Sequence, residues 1–156
     1  MVIVVGCLDE HIPWAIPFLF FPEYGIVKED VEFEFVLEYR RLKRAILTNQ
    51  DINLRQAKSF WRDGDILRAK KRVSHVFQML HWCLDLLRHD KITDLIAANR
   101  YFNNLMQDFD SWESYHSFFH PLKLELIDEI RHEVKYRWVN IENEQLDNYF
   151  LFTQKC

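Results

Sequence analysis

Between residues 66 and 89 apolar side chains return with helical spacing and without interruption. Ile66, Val73, Leu80 and Leu87 recur every seventh residue, Ala69, Val76 and Cys83 fall between them, and Phe77 and Leu84 lie alongside. A stripe this wide on one helix has to be covered by other helices, because so much apolar area is unfavourable in water. Asp63-Gly64-Asp65, just before it, supplies a break followed by a capping carboxylate. This segment therefore demands a bundle.

The rest of the chain has to supply the covering helices. Asp51 predicts the start of a helix over residues 51–61. Thr93 or Asp94 predicts another, reaching about Phe109 and burying Leu95, Ala98, Phe102, Leu105 and Phe109. Pro121 suits the first turn of a last helix, in which Leu122, Leu126, Ile130, Val134 and Trp138 fall four apart with Ile127 beside them. The N-terminal part differs: Val31, Phe33, Phe35 and Leu37 alternate with Glu32, Glu34 and Val36, which is the period of a half-buried strand. The expected fold is mainly α, an antiparallel helical bundle of about four helices with a short N-terminal β strand or ribbon. It forms a single domain over 1–156, with an irregular or β appendage at 1–40, the bundle at 51–139 and a tail at 140–156.

Composition removes several function classes. Hydrophobic residues make up 49% of 156, and Gly and Pro number only 3 and 4, which excludes a disordered or collagen-like chain. A net charge of -4 excludes a polycation built for nucleic acid as a whole. Cys7, Cys83 and Cys156 form no CxxC pair and read as free thiols of a reducing compartment. The longest apolar stretch, 12–22, holds three prolines and falls short of the roughly 20 residues a bilayer requires. Asp9 and Glu10 interrupt the N-terminal apolar run, and no basic region precedes it, unlike a signal peptide. A cytoplasmic or nuclear protein without a membrane partner is expected.

Three constellations bear on chemistry. Residues 55–72 hold seven basic groups (Arg55, Lys58, Arg62, Arg68, Lys70, Lys71, Arg72) against Asp63 and Asp65, a local charge of +5 inside an acidic chain. Helical spacing sets Arg68, Lys71, His75, Gln78 and Trp82 opposite the apolar stripe, where cations in reach of one another suit a phosphate. The plain alternative is a solvated helix face, although a Trp on the polar side marks a contact surface. Arg68 and His75, one heptad apart, resemble the Arg-His element of the HEPN ribonucleases, in which the His is a general acid or base and the Arg binds phosphate. Glu113-x-x-His116 and Glu129-x-x-His132 share the text of di-iron carboxylate bundles, but such spacings are expected among seven His in a helical chain, and no metal site is assigned. With Gly only at positions 6, 25 and 64, no Gly-rich phosphate cradle is available, and no nucleophile elbow, dinucleotide fingerprint or zinc-finger spacing occurs.

Three stretches in order, Phe20-Phe21-Pro22-Glu23 with Lys28-Glu29, then Ala69-Lys70-Lys71-Arg72-Val73-Ser74-His75, then residues 90–99 from Asp90-Lys91 to Ala98-Asn99, resemble the C-terminal helical portion of a nucleotidyltransferase-like family of the polymerase-β superfold. The resemblance spans about residues 9–105. It implies that Lys70 and Lys71, with Arg68, Arg72 and His75 nearby, contact a phosphate or nucleotide, while Lys91, Ala98 and Asn99 serve helix entry and close packing. That family's catalytic Gly-Ser turn and paired strand aspartates are absent from this chain. Asp63 and Asp65 share the D-x-D text but follow no Gly-Ser, and no catalytic residue is assigned. No cofactor is expected, and Mg²⁺ only if another chain supplies a catalytic half.

The leading expectation is thus a non-catalytic helical domain that binds a nucleotide, an RNA end or a protein partner through a basic helix face. The alternatives are a structural or assembly subunit, with Trp82, Phe33 and Phe35 as the partner surface and a homo-oligomer as one form, and a HEPN-like ribonuclease.

Overall fold

The structure, a computed structural model, describes the main chain of residues 2–4, 34–36 and 39–153, and side chains over 39–137. Two three-residue strands, β1 (Val2–Val4) and β2 (Glu34–Val36), pair in parallel with Ile3 opposite Phe35. Four helices follow among the described residues: α1 (Tyr39–Arg62), α2 (Ile66–His89), α3 (Asn99–Leu105) and α4 (Trp112–Thr153). The expected mainly helical bundle is what the chain forms. Phe33 and the segment 20–29 fall outside the described residues, and only the main chain of Phe35 is described.

α2 is the central helix, and its bounds are those its apolar stripe predicts. Val73, Val76, Phe77, Leu80, Cys83, Leu84 and Leu87 are all buried. Asp65 caps its start by accepting from the Arg68 main-chain N–H at 3.2 Å. Before it, Gly64 turns the chain at φ 85°, a conformation that disfavours a side chain. At the other end Asp90 adopts φ 56° and its N–H bonds the Leu86 carbonyl, a left-handed C-terminal cap.

Three boundaries differ from expectation, each for a local reason. α1 begins at Tyr39, not Asp51, and Asp51 is an exposed interior residue. The core face of α1 is Leu42, Ile46, Gln50, Asn53 and Ala57, so two buried amides interrupt the apolar text at its middle. Asn53 is served by the Asn49 carbonyl and by Arg72, whose Nη1 donates to Oδ1 at 3.2 Å. α4 begins at Trp112, which places Pro121 inside the helix. There Ser111 caps the helix: its Oγ accepts from the Ser114 N–H at 3.1 Å, and Ser114 Oγ accepts from the Ser111 N–H at 3.3 Å. Pro121 has no N–H to donate to the Ser117 carbonyl, and Ser117 is an exposed residue.

α3 is shorter than expected and starts at Asn99. The Asp85 carboxylate accepts from the Thr93 N–H, the Thr93 hydroxyl and the Asp94 N–H at 2.8, 2.9 and 3.1 Å, and the Asp94 carboxylate accepts from the Ile96 N–H. These bonds hold the entry segment in turns and spend the groups that would have capped a helix.

Side-chain partners give the helix directions. Trp61 near the end of α1 stacks on Tyr115 near the start of α4, with ring centroids 5.1 Å apart. Arg137, further along α4, reaches the far end of α2. Lys70 and Asp108 meet at the opposite end. α1 is therefore antiparallel to both α2 and α4, while α2 and α4 run parallel, with α3 in the connection between them. Leu126, Ile130 and Val134 of α4 close the core over α2. Each such buried side chain contributes about 1.5–3 kcal/mol through burial. No described helix is long and apolar enough to cross a membrane.

Candidate functional site

The basic run does not emerge as one surface. Lys70 is 5% exposed, and its Nζ donates to the Met106 carbonyl and the Asp108 carboxylate, both at 3.3 Å. Arg72 turns toward α1 and bonds Asn53. Arg68 is exposed, with its guanidinium over the Phe60 ring at 4.1 Å. At 100° per residue these side chains leave the helix in different directions, and each finds its own neighbour. Trp82 likewise differs from the expected solvent-facing ring: it is half-buried against the core, with its indole N–H enclosed and unpartnered.

Lys71 and His75 behave otherwise. Both are exposed, sit one turn apart on α2, and line a cleft of about 210 Å³ against α3. Ser74 and Gln78 of α2 and Ala98, Asn99 and Phe102 complete the lining. Gln78 is steadied by donating to the Leu95 carbonyl at 3.5 Å. Phe102, expected in the core, is 42% exposed. Asn99, expected to serve packing, is exposed in the lining, while Ala98 beneath it is buried. The site thus joins one fixed cation, an imidazole, a hydroxyl, two amides and an accessible aromatic ring. Helical spacing signals Lys71, His75 and Gln78, whereas Asn99 and Phe102 enter only through the way α3 folds back.

Beyond this cleft, Arg100 and His81 form a second layer. Arg100 Nη2 lies 3.2 Å from His81 Nε2 and donates to the Tyr101 hydroxyl at 3.0 Å, while the His81 ring stacks on Tyr101 at 5.5 Å. Burial, then the Arg100 charge, pushes the His81 imidazole down to about 4, so it is neutral at physiological pH and accepts from Arg100. The layer fixes Tyr101, next to Phe102, against Phe77 of the core.

The remaining motifs are dispersed. Glu129 and Glu133 both bind Arg88, at 2.8 and 2.9 Å, and His132 is exposed. Asp63 pairs with Arg62 and Asp65 caps α2. Among the described residues no three His, Cys, Asp or Glu side chains converge in a way that could hold a metal ion. Arg68 is not part of the cleft that holds His75. Cys83 is wholly buried and its thiol is pushed up to about 12, which suits a core residue and not a nucleophile.

Comparison of the chain with family models, with curated proteins and with solved structures finds no match.

Proposed function

We propose that this chain is a binding domain for a phosphate-bearing ligand, a nucleotide or an RNA end, seated in the α2–α3 cleft. The observation that carries this reading is the meeting of Lys71 and His75 with Asn99 and the accessible Phe102 ring in one cleft. An ammonium is a strong point charge for a phosphate oxygen, and His75 and Ser74 offer further polar contacts. A base stacked on an aromatic ring contributes about 1–3 kcal/mol. A cleft of about 210 Å³ suits one phosphate with a sugar or base at its edge, and the acidic chain as a whole disfavours a long nucleic-acid tract. The resemblance to the helical portion of nucleotidyltransferase-like proteins of the polymerase-β superfold supports the same ligand class, with Lys71 and His75 as the contacts in place of all five residues that it implies.

The test is binding of labelled ATP and of a short 5′-phosphorylated RNA to the wild type and to a Lys71→Ala/His75→Ala variant. A loss of tenfold or more in the variant is expected, and equal or absent binding by both proteins removes the reading. A structural or assembly role is the second reading, favoured by Ile96 at 66% exposure near Phe102 on the same connection. Light scattering after size exclusion distinguishes it: a concentration-dependent oligomer that Ile96→Ser dissolves supports assembly, and a strict monomer counts against a homo-oligomer.

A further inference from the structure

A second cleft, of about 400 Å³, lies between the later turns of α1 and the first turns of α4. Its volume falls within the range of small-molecule sites, roughly 300–1,000 Å³. Leu54 and the Trp112 ring give it apolar walls, and Arg55 and Lys58 stand at its α1 side. None of its lining belongs to the α2–α3 cleft.

Its walls are held from behind. Trp112 packs edge-on against Trp61 and Phe119 at 5.9 Å, and His116 stacks on His120 at 4.6 Å. Such buttressing lowers the ordering cost of seating a flat ring. The charges are less settled. Arg62, Lys70, Arg88, Arg131 and Arg137 each reach a carboxylate. Arg55 and Lys58, both exposed, have no ion pair or hydrogen bond among the described residues. Spaced three apart on one helix, they lie on one face and point two cations toward one mouth.

His120 and Lys123 of α4 also act on His116. Lys123, two turns beyond His116, is 7% exposed, and its ammonium is pushed down by burial with Asp51 as the opposing charge. The His120 Nδ1 is enclosed without a partner. Burial first, then His120, Lys123 and Lys58, holds the His116 imidazole below its ordinary value, against the pull of Glu113. Among the described residues Glu113 is the one carboxylate in the lining, set against Arg55, Lys58 and His116.

We propose that the α1–α4 cleft binds a small aromatic anion, with its flat ring between Leu54 and Trp112 and its phosphate or carboxylate on Arg55 and Lys58. The apolar walls select the ring, the two unpaired cations select the charge, and Glu113 confines the charged group to the α1 side of the mouth. His116 and Ser117 can then orient polar groups on the ring.

The test uses the full chain and 1-naphthyl phosphate as the probe, with 1-naphthoate, 1-naphthol and inorganic phosphate as the other arms. Calorimetry measures affinity, and the His116 ring resonances report position. Saturable binding of 1-naphthyl phosphate and 1-naphthoate is expected, with both 1-naphthol and inorganic phosphate at least tenfold weaker. Binding should weaken tenfold or more in Arg55→Ala/Lys58→Ala, a surface variant that leaves the core intact. It should be unchanged in Lys71→Ala/His75→Ala, which separates this site from the α2–α3 cleft. Absence of saturable binding at millimolar probe, an unshifted His116, full affinity in the Arg55/Lys58 variant, or inorganic phosphate or 1-naphthol binding as well as the joined molecule would each overturn the proposal.

Discussion

Arg137 of α4 closes the C-terminus of α2: its Nε donates to the Leu87 carbonyl at 2.7 Å. Its Nη2 donates to the Arg88 carbonyl at 3.0 Å and pairs with Asp90 at 3.2 Å. The last carbonyls of a helix have no donor of their own and carry partial negative charge, so a guanidinium there satisfies two of them and opposes the dipole. Tyr39, at the start of α1, joins by donating to Asp90 at 2.6 Å under the same guanidinium. We expect Arg137→Ala to destabilise the fold by about 2 kcal/mol. Arg137→Lys should recover less than half, because an ammonium does not reproduce the fork. Urea denaturation measures both, and a wild-type midpoint for Arg137→Ala would refute the capping role.

Neighbouring lysines should separate stability from binding. Lys70 bonds the Met106 carbonyl and is enclosed, so Lys70→Met, which keeps the stem and loses the donor, should cost about 1 kcal/mol. Lys70→Ala should cost about 2 kcal/mol by emptying that space as well. Asp108 is fully exposed, and Asp108→Asn should leave stability unchanged. Lys71→Ala should show the reverse pattern, an unchanged melting temperature and lost phosphate binding. Loss of binding in a folded Lys70→Met variant together with its retention in Lys71→Ala would contradict the assignment.

His81 should make the fold sensitive to mild acid. Its folded value of about 4 lies below the ordinary 6.5, so above pH 6.5 both states are neutral and it contributes no pH dependence. Between 6.5 and 4 the unfolded chain takes up a proton that the folded one refuses, and stability falls as pH falls. The expected loss is about 1 kcal/mol, less than the full shift implies because water still reaches the ring. His81→Phe should flatten this part of the stability profile, measured by denaturation at pH 7, 6 and 5. An unchanged slope would exclude His81 as its source.

Cys83 should resist alkylation while the chain is folded. A thiol pushed from 9.0 to about 12 holds about 1,000-fold less thiolate near neutral pH, and its burial adds a steric barrier. Mass mapping after iodoacetamide treatment should find Cys83 unmodified in buffer and modified in denaturant. Rapid native labelling at Cys83 would show that α2 opens locally.

The sequence makes the central helix fully legible and its partners only partly so. The heptad stripe marks Ile66–His89 because every buried position there except Lys70 is apolar, Ala or Cys. α1 is half hidden because Gln50 and Asn53 occupy core positions, and only the neighbouring helix reveals their partners. α4 is masked at its start by Pro121, a familiar first-turn residue that here sits well inside, and by a cap built from Ser111 and Ser114 without the usual Glu or Gln. In the α2–α3 cleft Lys71, His75 and Gln78 of α2 follow from helical spacing, but Asn99 and Phe102 depend on the turns that Asp85 imposes on the connection. The α1–α4 cleft is the least legible, since Arg55 and Trp112 lie far apart in the chain and only the antiparallel packing of their helices unites them.

The turn at Gly64 bears on the order in which the fold assembles. Only three residues separate α1 from α2, whereas α4 starts after a far longer excursion from the end of α2. Loop closure grows more unfavourable by about 0.6 kcal/mol with each doubling of length, so the α1–α2 hairpin is the cheapest early encounter and α4 the later arrival. Gly64→Ala, whose methyl meets no atom within 4 Å but must adopt φ 85°, places its penalty in that hairpin alone. Stopped-flow chevrons should therefore show it slowing refolding with little change in the unfolding arm.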